Sequence, residues 1–292
     1  MSISRLTRSV SLLTVAAASV FVKTAQAHPG SGIVVDRLGR VFFVDMVSGI
    51  WRLDTQGTLI HLPGPAFHWM TLDAEGRFAS VNLPSGPSGD FARIGSSPTL
   101  LLASDFPLAI GPDGRLFFPS QGRSPVQIRT FSPAGVADVV ATLPATGSTG
   151  PLRWLNGLTA APDGSLYYTE DDAIRRVGSD GRVTLVAEHV GRQGCPSRNP
   201  LLRGLDVDSA GNAYVADAGC GNVLKVAPDG AVTVLPQVPS PWFPTGVALY
   251  GKDLYVLEFE NPDTDDRRAM VPRIRRIAAD GTTGVVATVT RR

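Results

Sequence analysis

The chain has few of the residues from which most active centres are built. Among 292 residues there are four histidines (His28, His61, His68 and His189), two cysteines and only 7% aromatics. So few histidines, spread along the chain, exclude a His-rich metal centre. The C-x-x-C, H-E-x-x-H, G-x-S-x-G and phosphate-loop patterns are absent as well. No charge of one sign predominates, with 27 basic against 26 acidic residues. Without a basic excess there is no electrostatic footprint for nucleic acid. No apolar run reaches the length of a comfortable membrane span.

The abundant residues are glycine, at 31, and proline, at 23, which point to many turns. The start of the chain reads as a secretory signal. Arg5 and Arg8 form a basic start, "SVSLLTVAAASVFV" an apolar core, and Ala25-Gln26-Ala27 a small-residue cleavage site. Residues 1–27 are therefore expected to be removed, leaving 28–292 as a single domain with a net charge of about −2. A secreted or periplasmic protein keeps its thiols in an oxidising compartment, so Cys195 and Cys220 are expected to form a disulfide. Both fall in loops that the repeat described next places on one face.

A pattern recurs along the chain: "GIVVDRLGRVFFVD", "WMTLDAEGRFASVN", "PLAIGPDGRLFFPS", "GLTAAPDGSLYYTE", "GLDVDSAGNAYVAD" and "GVALYGKDLYVLE". Each copy is an apolar run, a turn containing glycine and a second alternating run, followed by a further pair of runs with its own turn. Six units of four short strands predict an all-β fold, a six-bladed β-propeller of four-stranded blades. Within "GLDVDSAGNAYVAD" the spacing Asp206-x-Asp208-x-x-Gly211 imitates the start of a calcium loop, but the distal ligands are missing and sister copies share no ligand set. A hairpin turn braced by Asp208 is the expectation. The acidic stretch at 260–270 is expected to be a solvated loop rather than a calcium site.

"LLRGLDVDSAGNAYVADAGCGNVLKVAPDG" resembles an NHL repeat. "WLNGLTAAPDGSLYYTED" and "GSGIVVDRLGRVFFVDMVSGIWRLDTQG" resemble the SMP-30/gluconolactonase/LRE-like propellers. The resemblance implies lactone or ester hydrolysis with a divalent cation, calcium or zinc, at the mouth of the central channel. It implies ligands at three positions, read here as Ser31, Asn156 and Arg203. Only Asn156 keeps the family's residue type. A serine replaces a glutamate and an arginine replaces an aspartate, so metal is disfavoured.

Blade topology places Ser31, His68, Phe106, Asn156, Arg203 and Thr245 around one mouth of the channel. It adds Asp45, Glu170, Asp217 and Glu258 from the ends of the second strands. Each of these residues has two readings. His68 is a general base or a satisfied histidine packed on Trp69. Arg203 clamps an anion, or pairs with Glu170 or Asp217. Asn156 contacts ligand or metal, or caps local backbone. Asp45, Asp217 and Glu258 are expected to brace the loops that follow them. The expected function is binding of a small polar or anionic ligand by a monomer, with a degenerate hydrolase site. The alternative is a non-catalytic NHL-type scaffold for a protein partner.

Overall fold

The computed structural model describes residues 29–84, 90–120, 125–144, 154–195, 200–260 and 269–290. The expected signal peptide and most of the acidic stretch at 260–270 lie outside these residues.

Six antiparallel sheets follow one another along the chain. Blade 1 holds β1 (Ile33–Val35), β2 (Val41–Asp45), β3 (Gly49–Leu53) and β4 (Leu59–Leu62). Blade 2 holds β5 (Trp69–Asp73), β6 (Phe91–Ile94) and β7 (Thr99–Ala103). Blade 3 holds β8 (Ala109–Ile110), β9 (Leu116–Pro119), β10 (Gln127–Phe131) and β11 (Ala137–Thr142). Blade 4 holds β12 (Gly157–Ala160), β13 (Leu166–Glu170), β14 (Ala173–Val177) and β15 (Val183–Ala187). Blade 5 holds β16 (Leu202–Val207), β17 (Ala213–Asp217), β18 (Asn222–Val226) and β19 (Val232–Val234). Blade 6 holds β20 (Trp242–Tyr250), β21 (Asp253–Glu260), β22 (Pro272–Ile277) and β23 (Thr283–Thr288).

The first strand of each blade touches the first strand of the next, and β20 touches β1, which closes the ring. The fold is thus a six-bladed propeller. A blade alone leaves both faces apolar, and ring packing covers them. The buried apolar side chains accordingly form layers between neighbouring blades. Leu166 and Tyr168 pack with Ile128 between blades 3 and 4, and Ile174 packs with Leu205 and Val215 between blades 4 and 5.

Blade 2 departs from the repeat. Five blades run in simple strand order, but here β7 pairs with β5, and β6 pairs with the far side of β7. The alternation in "RFASVN" suggests a second strand, but residues 77–84 form none. All five residues of β7, "TLLLA", are buried, whereas Ser80 is exposed. The run with three leucines takes the covered place beside the inner strand, and the more polar run gives up pairing while still burying Phe78 in the core.

The turns carry the repeat. Gly211 has φ +82°, a left-handed conformation in which a side chain is strained. Asp208 accepts the backbone N–H groups of Ala210 at 3.0 Å and Asn212 at 2.9 Å, and the Asn212 amide at 2.8 Å. The calcium-like spacing is therefore a turn braced by its own aspartate. Asp36 serves the same purpose in blade 1, accepting from Leu38 and Arg40.

Candidate functional site

The first strands converge where they begin. A methyl group on Gly246 would lie 2.2 Å from the Ser31 carbonyl oxygen, and one on Gly157 would lie 2.5 Å from that of Arg203. Glycine in these copies of the repeat lets neighbouring backbones meet around the axis. Thr245 ties the ring shut, donating its hydroxyl to the Gly30 carbonyl at 2.7 Å. From this end a channel of about 300 Å³ runs between the six first strands.

Strand register puts the ends of the second strands at the same end. Leu202 faces Asp217, Gly157 faces Thr169, and Pro244 faces Glu258. The mouth is dense in buried polar groups. Ser31, Asp45, Glu170, Asp217 and Glu258 are all less than 5% exposed, and Arg203 is 9% exposed. Burial pulls the Arg203 guanidinium down to about 10, so it still carries its charge at neutral pH.

His68 hydrogen-bonds through Nδ1 to the Ser104 carbonyl oxygen. A carbonyl only accepts, so Nδ1 carries the proton. Ser31 and Gly32 both donate their N–H groups to the His68 carbonyl, linking blades 1 and 2. The Asn156 N–H donates to the Thr169 carbonyl at 2.9 Å, and the Thr169 hydroxyl donates to the Arg203 carbonyl at 3.0 Å. Asn156 and Arg203 are thus joined across blades 4 and 5 through one threonine. Glu170 Oε2 lies 4.0 Å from Arg175 Nε of its own blade.

Asp45 and Asp217 brace loops. Asp45 accepts from Val47 N and the Ser48 hydroxyl. Asp217 accepts from Leu201 N at 2.9 Å and Cys220 N at 3.3 Å. Its other oxygen, Oδ2, has no hydrogen-bond partner among the described residues, and burial pushes this carboxyl above the usual carboxylate range. The loop it braces holds the disulfide between Cys195 and Cys220, whose Cα atoms are 5.6 Å apart. Glu258 differs from the expected loop brace. It takes Arg273 Nε at 2.6 Å and Arg275 Nε at 2.6 Å, forming a buried ion triad. The Arg273 guanidinium also stacks 3.9 Å from the Trp242 ring centroid.

Sequence reading did not single out Asp206 as a channel residue. It lines the channel from β16, and its Oδ2 accepts the Leu249 N–H of blade 6 at 2.8 Å. Thr71 does the same for Ile110 N between blades 2 and 3, at 3.1 Å. First strands of neighbouring blades have no ladder between them, so these oxygens satisfy backbone donors that face the axis. Burial raises the Asp206 carboxyl against the hydrogen bonds that lower it. Its place two residues after the repeat glycine, as a carboxylate in the strand that also carries Arg203, is the signal that could have found it.

The residues present do not fit a divalent cation at the mouth. Ser31 offers one neutral oxygen, and Arg203 brings a fixed positive charge to a ligand position. Among the described residues, no three His, Cys, Asp or Glu side chains cluster closely enough to hold a metal ion. The arrangement is a mouth lined by buried polar groups of both signs on a propeller with contiguous blades.

No family model matches the sequence, and no curated protein matches it. Solved structures do match in fold. Regucalcin from Agrobacterium tumefaciens, titled a calcium-binding protein, superposes with TM-score 0.55 at 18% identity, over 82% of this chain and 85% of that one. A luciferin-regenerating enzyme does so with TM-score 0.52 at 15% identity, over 84% and 91%. A streptogramin B lyase follows with TM-score 0.51 at 16% identity, over 92% and 86%. These are propellers of the kind the sequence resemblance indicated, and at such identities the likeness is one of fold.

Proposed function

We propose that this chain is exported and binds a small polar anion at the channel mouth, with Arg203 as its charge anchor and Asn156 beside it. The observation that carries this reading is a charged guanidinium, 9% exposed, on the strand residue just before the channel-lining Gly204. In surroundings that screen little, a charge-assisted hydrogen bond to an incoming oxyanion is strong. Glu170 and Asp217 bound the same region, and the disulfide holds the loop that leads into Arg203. The chemistry nearest to this arrangement is hydrolysis of a lactone or ester. In that reaction His68 is the base that activates water, and Arg203 stabilises the oxyanion. No step is routed through a metal.

The test is a calorimetric screen of small carboxylates, lactones and esters against the mature protein and Arg203→Ala. An anionic ligand is expected to lose roughly 1.5–3 kcal/mol of affinity in the variant. If no anionic ligand responds to that substitution, the reading fails. Turnover of a lactone or ester that is abolished in His68→Ala, with anion binding retained, would establish the hydrolytic role. Binding without turnover in the wild type would confine the site to recognition.

A further inference from the structure

On the face opposite the mouth, blade 6 meets blade 1 without exchanging a strand, and a groove of about 520 Å³ opens between them. It is independent of the mouth and shares no residue with it. Its floor is apolar, made by Val41 and Leu53, which are 1% and 5% exposed. Its rims are apolar but open to water. Leu38 of blade 1 is 66% exposed, and Tyr250 of blade 6 is 39% exposed. The Tyr250 ring is seated on Gly39, where an added methyl group would lie 3.2 Å from the ring, and its hydroxyl reaches the Arg37 carbonyl at 3.4 Å. A second tyrosine, Tyr255, lines the groove from β21.

Polar groups of both kinds are set among these surfaces. Asp54 accepts Gln56 N at 3.0 Å and Thr58 N at 2.7 Å through Oδ1, so Oδ2 is left to accept from a ligand. Gln56 donates its amide to Thr55 at 2.8 Å, which leaves its amide oxygen as a second acceptor. Arg276 binds Asp253 Oδ2 through Nε at 2.9 Å and Nη2 at 2.6 Å, which keeps Nη1 for a third partner. Two carboxylates against one guanidinium oppose an anion, and the guanidinium opposes a cation. Donors and acceptors around two phenol rings suit a neutral ring with apolar faces and hydroxylated edges.

We propose that this seam groove binds a neutral saccharide, with a sugar face against the tyrosines and hydroxyl groups directed to Asp54, Gln56 and Arg276. The volume lies within the range of small-ligand sites. The bound sugar would bridge the first and last blades, so binding and ring closure stabilise each other.

The experiment is thermal unfolding of the mature protein titrated with glucose, galactose, mannose, N-acetylglucosamine, maltose, cellobiose and lactose. Sugars raise Tm generally by exclusion from protein surface, so the readout is the difference between the wild type and Tyr250→Ala. At least one sugar is expected to give a saturable rise, on the order of 5 °C or more at about 100 times Kd, that Tyr250→Ala abolishes and Arg203→Ala leaves intact. Gln56→Ala, on an exposed turn, gives a second reading should Tyr250→Ala unfold, and it is expected to weaken the same sugar several-fold. The proposal is overturned if no sugar gives a saturable rise, or if the rise survives both seam variants. It is also overturned if the rise disappears in Arg203→Ala instead, which would place the sugar at the mouth.

Discussion

At the turn face, Asp208 is surrounded by donors and stays within reach of water. Partial desolvation works against its charge, but hydrogen bonds from Asn212, Ala210 and Tyr214 outweigh that, and its carboxyl is held below the ordinary range. Asp163 is lowered in the same way, first by the Ser165 hydroxyl and then by the Ser165 N–H. At the mouth and along the channel, Asp217 and Asp206 also accept backbone N–H groups, yet burial dominates and both are raised. The same residue type therefore favours folding at neutral pH on one face and opposes it at the other. Buried carboxylates that backbone donors compensate only in part cost stability, and turn residues supply it elsewhere.

The strongest way to break this contrast is to leave buried cations without their anion. Glu258→Ala should cost about 3–5 kcal/mol in urea unfolding, because Arg273 and Arg275 would remain buried without a carboxylate. A loss below about 1 kcal/mol would show that the triad relaxes into solvent. Next in size is the disulfide. It closes a loop across a sequence separation of 25, and replacing both cysteines by alanine should cost roughly 3–4 kcal/mol by loop entropy. Unfolding midpoints of the double variant that match the wild type would show that Asp217 and packing alone hold the loop.

The smallest effect, and the most diagnostic, is a pair of pH profiles of stability. Asp208 has a lowered folded pKa, so its contribution is present above the unfolded value of about 3.9 and is lost as pH falls through the folded value. Asp208→Ala should cost about 1 kcal/mol at neutral pH and almost nothing at strongly acid pH. Asp206 has a raised folded pKa, so its favourable contribution is present below about 3.9 and is lost as pH rises through the folded value. Asp206→Asn should remove part of the decline in stability above that pH, with Asp217 keeping the rest. Parallel profiles for the two variants would erase the contrast between the faces.

Much of this was legible in the chain itself. The turn glycines and the apolar run after each first-strand start mark the first hairpin in five of the six blades, because left-handed turns and alternation are local requirements. Cys195 and Cys220 could be paired because the repeat puts their loops on one face. Blade 2 was legible only in part. "RFASVN" alternates as a strand should, but the competition with "TLLLA" for the covered position is settled only when the neighbouring blades are present. Glu258 read as a loop brace like Asp45, since nothing local shows that Arg273 and Arg275 will flank it across a strand pair.

The sequence by itself determined the number of blades and the turns of five of their first hairpins, since left-handed turns and alternation depend on near neighbours along the chain, whereas Phe106, expected at the mouth, is fully buried in the core. Tertiary structure alone decided which charges are buried, which carboxylates are raised or lowered, and that the first and last blades meet over a groove lined by Tyr250 and Arg276. Those properties depend on desolvation and on partners tens to hundreds of residues away, as when Thr245 reaches Gly30, and no local pattern encodes them.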